Sequence, residues 1–307
     1  MPSSLVDMSG IHPDQVLQIL GLRAVTNADA PTGGMSGSTL TRAVTADDEP
    51  VIVKVSALDS DAARDQARRE LAVYTTIAPE HALPTPRLIA HYRAAGWMAI
   101  AVTRHDPAPP APEWSADDWG AFARMLGRIH RDVHPVPNLF QPRSSVAVDP
   151  QQGLEAFAER LWHGPGDLRR IRTVLDDLRL LEEAAGFGAV SFVHGDCHIG
   201  NVLHTADRRP MLVDWQSART GPPAADLAFA FTRAVPTGAS IPREHVIAVY
   251  CDEAGADVAQ TDRQITAHQI LTLVRQYPEF ASFLGPAEVS HLRVELDQLL
   301  GRWRNPG

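Results

Sequence analysis

Four prolines crowd into Pro107-Ala-Pro-Pro-Ala-Pro112. No helix or inner strand runs through such a stretch, because proline fixes φ and lacks a backbone N–H. The chain changes character on either side of it. Before it come short runs rich in β-branched and apolar residues: Arg23–Thr26, Thr39–Thr45, Pro50–Ser56, Arg87–Tyr92 and Trp97–Thr103. These predict strands. After it, apolar residues recur at helical spacing and Ser115-Ala-Asp-Asp118 reads as a capping box opening a helix to about His130. The expected fold class is therefore α+β, with a β-rich N-terminal lobe (1–105) and a mainly helical C-terminal lobe (106–307).

Other helices are expected at 12–20, with Pro13 near the start, and at Ala62–Ala78, ended by Pro79. Two more are expected at 151–163 and 167–185, and a helical pattern runs from Ala224 onward. The motif region between has strand-like Val190–Val193, Val202–His204 and Met211–Asp214.

The net charge is -9, from 28 basic and 37 acidic side chains. An acidic surface argues against nucleic acid as the main partner. The two cysteines, Cys197 and Cys251, are too few for a disulfide framework. The N-terminus has no basic n-region and no apolar h-region, and no apolar run is long enough to span a bilayer. The expectation is a soluble cytoplasmic protein with no membrane or nucleic-acid partner.

Lys54 is the single lysine of the chain; every other basic residue is arginine. A position that keeps lysine against such a bias suggests a compact charge that must reach phosphate. Lys54 stands mid-strand in Val51-Ile-Val-Lys-Val55, on the face of Ile52, and Glu70 on the following helix can pair with it. The Gly33–Ser38 turn, with Gly34 and Ser36, is a candidate phosphate cover. Further on, Phe192-Val-His-Gly-Asp-Cys-His-Ile-Gly-Asn-Val-Leu203 and Met211-Leu-Val-Asp-Trp215 hold polar groups at fixed offsets. Asp196 can orient the proton of an attacking hydroxyl. Asn201 and Asp214 can offer oxygens to Mg²⁺.

His194-Gly-Asp-Cys-His-Ile-Gly-Asn201 with Val213-Asp-Trp215 resembles the aminoglycoside phosphotransferase (APH/choline kinase-like) family of small-molecule kinases. The resemblance extends over most of the chain, to Lys54, Glu70 and Pro223-Ala-Ala-Asp-Leu227. It implies a bilobal protein-kinase-like fold that uses ATP or GTP with Mg²⁺. It implies Asp196 as the catalytic aspartate, Asn201 and Asp214 as metal ligands, and Lys54 as the phosphate-gripping lysine paired with Glu70. Asp226 is implied as a structural brace of the catalytic loop. The base is expected near Val102–Asp106, with Thr103 and His105 among the nucleotide-binding residues.

The acceptor is expected to be a small-molecule hydroxyl, foremost that of an aminoglycoside-like or other natural-product antibiotic, which would make the chain a resistance enzyme. A housekeeping kinase for a sugar, amino alcohol or homoserine is the alternative. His198 and Trp215, close in sequence to the catalytic groups, are candidate substrate contacts. Asp252, Glu253, Asp257, Asp262 and Glu279 suggest a carboxylate-lined pocket that would attract a polycation. His194, Asp196, His198 and His204 could instead form the metal cluster of a hydrolase, but that reading leaves Lys54 and Asn201 unexplained. A pseudokinase scaffold is opposed by the presence of a plausible residue for every catalytic role.

Overall fold

The computed structural model describes residues 12–25, 38–134, 136–141 and 157–305. The chain divides into two compact units. The first comprises Met1–Asp106 and Leu203–Ser217, and the second Pro107–Val202 and Ala218–Gly307. The first boundary falls in the proline-dense segment. Asp214 belongs to the unit that carries Lys54.

The first unit opens with α1 (Pro13–Ile19), capped by the His12 side chain and started by proline at its first turn. An antiparallel sheet follows, built from β1 (Arg23–Ala24), β2 (Thr39–Val44) and β3 (Pro50–Ala57). After α2 (Asp61–Ala72) and α3 (Ala78–His81) come β4 (Leu88–Arg93) and β5 (Trp97–Thr103), giving the sheet order β1-β2-β3-β5-β4. Strand β3 alternates as its sequence demands. Val51, Val53 and Val55 are buried and join Val16 and Leu17 of α1 in one core. Lys54 therefore faces the opposite side, with Ile52 and Ser56.

Pro79 does not end the helix that begins at Asp61. A π-helical turn, Val73–Ile77, joins α2 to α3, and Pro79 follows it in the first turn of α3. The helix ends at Ala82, whose φ of 47° is left-handed. The later segment of this unit is pinned to the loop after α3. Leu212 N–H donates to the Pro84 carbonyl at 2.8 Å, and the Thr85 hydroxyl donates to the Leu212 carbonyl at 2.8 Å.

The second unit starts with α4 (Ala116–Asp132), opened by the expected capping box: Asp118 N–H donates to Ser115 Oγ and Ser115 N–H to Asp118 Oδ2. The single helix expected over 167–185 is two, α5 (Asp167–Asp176) and α6 (Leu178–Ala185). The break falls at Asp177, whose ψ of 3° is not helical, and both pieces still turn apolar residues inward. Of the helix expected over 151–163, residues 151–156 lie outside the described residues. Two short strands, β6 (Ser191–Val193) and β7 (Arg219–Gly221), pair antiparallel. Helices α7 (Ala224–Ala234), α8 (Arg243–Ala254), α9 (Val258–Arg275) and α10 (Pro286–Arg304) complete the unit. Its core gathers Ile171, Leu181, Ile270, Leu273, Leu296 and Trp303 from α5, α6, α9 and α10. Trp162 packs there too, its indole N–H donating to the Leu273 carbonyl at 3.1 Å. Among the described residues no helix is long and apolar enough to cross a membrane.

Candidate active site

In the first unit the strand pleat turns Lys54 away from the apolar core, and α2 supplies its partner. The Lys54 ammonium donates to both oxygens of Glu70 at 2.9 Å and to Asp214 Oδ1 at 2.6 Å. The exposures of the three side chains are 12%, 2% and 26%. Burial alone would lower the Lys54 pKa, but the Glu70 and Asp214 carboxylates outweigh it and hold the value above its usual range. Burial pushes the Glu70 carboxyl up, opposed by the charge of Lys54. Asp214 has a φ of 65°. For a non-glycine residue this left-handed backbone costs about 1–2 kcal/mol, and strain of this kind concentrates at functional sites. One ammonium faces two carboxylates, so the cluster carries a formal surplus of negative charge.

In the second unit the motif His194–Asn201 leaves β6 as a turn that Asp226 organises. Gly195, at φ 80°, supplies the left-handed step the turn needs. The Asp226 carboxylate, placed on the first turn of α7, accepts the N–H of His194 at 2.7 Å and of Gly195 at 2.9 Å. The His130 ring from α4 lies 3.2 Å from the same carboxylate, and its other nitrogen lies 2.9 Å from the Tyr250 hydroxyl. Burial would raise the Asp226 pKa. The bond to His130, the charges of His130 and His194 and the Gly195 N–H together hold it below the usual carboxylate range. Gly127 makes this geometry possible: a Cβ there would lie 2.9 Å from Glu253 Cβ and 3.1 Å from the Tyr250 carbonyl, so only glycine lets α4 and α8 approach this closely.

Held in this way, the loop presents Asp196, whose side chain is 31% exposed. The Asn201 amide donates to the Asp196 carbonyl at 2.9 Å, which ties the two ends of the motif together. Cys197 is fully buried, and burial beside Asp226 and Asp196 pushes its thiol well above its usual value, so it is a packing residue.

The structure therefore brings Lys54, Glu70 and Asp214 together, and Asp196 with Asn201. Gly34 and Ser36 lie outside the described residues. Thr103 and His105 are joined by a contact of 3.1 Å between Oγ1 and Nε2, and Arg87 N–H donates to the same Thr103 hydroxyl. His198 stays partly exposed at 23%, its Nδ1 accepting the Gly200 N–H. Trp215 must be corrected as a substrate contact. It is fully buried, and its indole N–H donates to Thr85 Oγ1 at 3.0 Å and to the Leu212 carbonyl at 3.2 Å, so it anchors the turn around Asp214. The carboxylate-lined pocket is corrected as well. Glu253 holds Arg128 and Arg131, Asp262 holds Arg243, and Asp257 caps α9, while Asp252 and Glu279 are exposed. Among the described residues no group of three His, Cys, Asp or Glu side chains gathers as a metal cluster. His130 and Tyr250 were missed by the sequence reading. The faint signal was a histidine and a glycine interrupting the apolar face of α4.

Residues 32–264 match the phosphotransferase enzyme family (APH). The chain belongs to this family. A curated relative, stress response kinase A of Salmonella choleraesuis, is 30% identical over 115 residues, which is 36% of this chain and 34% of the relative. The match thus spans about a third of that protein's length. Among solved structures, amicoumacin kinase hAmiN in complex with AMP-PNP, Ca²⁺ and Ami superposes with a TM-score of 0.62 at 12% identity, over 95% of this chain and 94% of the other. A microcompartment-associated aminopropanol kinase gives 0.63 at 13% identity, over 95% of each chain. The fold is thus the protein-kinase-like one of the APH family, with a five-stranded antiparallel sheet in one unit and a mainly helical second unit.

Proposed function

We propose that this APH-family member moves the γ-phosphoryl group of ATP or GTP to a hydroxyl of a small molecule. The observation that carries the reading is the clasp of Lys54 between Glu70 and Asp214. It holds the chain's one lysine as a buried point charge of fixed direction, suited to nucleotide phosphates. Asp196 accepts, or orients, the proton of the attacking hydroxyl. The acceptor oxygen forms the new P–O bond as the bond to the nucleoside diphosphate breaks, and the proton passes through Asp196 to solvent. Asn201 and Asp214 offer oxygen donors that suit Mg²⁺, and the surplus negative charge around Lys54 favours a divalent cation. Bound there, Mg²⁺ would neutralise phosphate charge and template the transfer. Thr103, His105, Gly34 and Ser36 are assigned to nucleotide binding.

Similarity to kinases of amicoumacin and aminopropanol leaves both a natural-product antibiotic and a small metabolite open as acceptor types, and the antibiotic reading is retained as the first to screen. The test is nucleotide consumption with ATP and GTP against a panel of hydroxylated antibiotics and metabolites, for wild type and Asp196→Ala. Asp196→Ala should lower kcat by about 10²–10⁴-fold while nucleotide binding stays nearly intact. A kcat within a few-fold of wild type would refute the role given to Asp196.

A further inference from the structure

Two prolines bracket Thr85 in Leu83-Pro-Thr-Pro86, the loop that follows α3. Each proline fixes its own φ and restricts the residue before it, so the loop is stiff before any tertiary contact forms. The Thr85 N–H donates to the Leu83 carbonyl at 2.8 Å, which folds the loop back on itself. The hydroxyl is turned to another segment of the same unit.

That segment is the turn that carries Asp214, and the hydroxyl meets it on both sides. Thr85 Oγ1 donates to the Leu212 carbonyl at 2.8 Å and accepts the Trp215 indole N–H at 3.0 Å. Beside it the Pro84 carbonyl takes the Leu212 N–H at 2.8 Å. Beyond the turn, Arg69 of α2 donates to the Gln216 carbonyl at 3.2 Å. Between these anchors Asp214 adopts its φ of 65°, and its Oδ1 receives the Lys54 ammonium at 2.6 Å. A left-handed aspartate persists only where its surroundings over-determine it. The Thr85 hydroxyl supplies such a constraint before and after Asp214 at once. Valine has the same shape but can make neither bond, whereas serine can make both.

We propose that Thr85 is a positioning residue for the transfer reaction. Its hydroxyl bridges Leu212 and Trp215 and so holds the Asp214 carboxylate toward Lys54 and ready for the divalent cation that accompanies the nucleotide. The catalytic meaning of this bridge rests on the phosphotransfer reading above. The contact it sets, between Lys54 and Asp214, is independent of that reading.

Lys54 is the single lysine of the chain, so acetylation of the native protein reads this contact at one side chain. The rate is taken from mass spectrometry of the Lys54 peptide, without nucleotide. Thr85→Val should acetylate about three- to tenfold faster than wild type, toward the rate of Asp214→Ala, in which the contact is gone. Thr85→Ser should bring the rate back to within about twofold of wild type. The Kd for Mn²⁺ in the presence of AMP-PNP, read from the electron paramagnetic resonance signal of the free ion, should rise by a similar factor in Thr85→Val and recover in Thr85→Ser. Should Thr85→Val fail to fold, Trp215→Phe removes one of the two bonds and should speed acetylation about twofold; a wild-type rate there would overturn the proposal. A folded Thr85→Val chain that acetylates at the wild-type rate, whatever its unfolding midpoint, would make Thr85 a structural residue alone and overturn it as well. Failure of the wild type to bind Mn²⁺ with AMP-PNP would sink the phosphotransfer reading, while the acetylation rates would still decide whether Thr85 sets Asp214.

Discussion

The Lys54 cluster of the first unit and the Asp226 cluster of the second both bury carboxylates, yet they use them differently. Around Lys54 one ammonium meets two carboxylates, Glu70 and Asp214, and the Asp214 side chain keeps 26% of its surface exposed. Around Asp226 one carboxylate meets two backbone N–H groups and a histidine ring, and its side chain keeps only 2%. The first arrangement holds charge where an incoming ligand can complete it. The second spends its charge entirely on backbone geometry, so that Asp196 and not Asp226 is the acid the loop presents. A buried carboxylate is therefore no sign of chemistry by itself; what its oxygens already bind decides.

The largest effect that tests this contrast is on stability. Lys54→Met strands Glu70 in the interior without a cation and should cost about 3–5 kcal/mol, read from denaturant unfolding near neutral pH. Adding Glu70→Gln should recover much of the loss, because the stranded charge is then gone. Lys54→Arg should keep most of the stability but lose turnover, since a planar fork does not replace a point charge. A fully active arginine variant would break the distinction drawn for this cluster.

Asp226→Asn should have the next largest effect, about 1.5–3 kcal/mol, together with a fall in kcat as the loop before Asp196 loosens. Asp226 titrates below the usual carboxylate range in the folded chain. Its contribution is therefore complete above the unfolded value of about 4 and is lost as pH falls through the lower folded value. The stability gap between wild type and Asp226→Asn should accordingly shrink on acidification. A gap equally large at about pH 7 and about pH 3 would mean that charge is not what Asp226 supplies.

Tyr250→Phe is the smallest of the three. It removes the hydroxyl next to His130 Nδ1 and should cost about 0.5–1.5 kcal/mol. The accompanying change in kcat should be smaller than that of Asp226→Asn, because Tyr250 acts on the loop through two intermediaries. An equal loss of kcat would place His130 and Tyr250 on a level with Asp226 in positioning the loop.

Much of this was legible in the chain. The alternation of Val51, Val53 and Val55 set which way Lys54 faces, because a strand's side-chain period leaves no other choice. The Ser115–Asp118 box marked the start of α4, since both capping bonds are local. The places where sequence reading failed are those where local signals compete with packing. Pro79 reads as a terminator, but a π-turn lets the helix pass. Trp215 reads as an exposed neighbour of Asp214, but the Thr85 and Leu212 oxygens draw its indole N–H inward.

By itself the sequence determined the α+β class, the family and the identity of the residues that carry charge, because periodicity, proline and short motifs are properties of neighbours along the chain; that Leu203–Ser217 joins the unit of Lys54 is a matter of tertiary contacts. Only the tertiary structure decided which of those charges are available. Whether Asp214 meets Lys54, whether Glu253 and Asp262 face a ligand or an arginine, and whether Thr85 reaches Leu212 and Trp215 depend on contacts between residues far apart in sequence. Burial makes each such contact exclusive, since a desolvated polar group must find its partner within the fold or take one from a ligand.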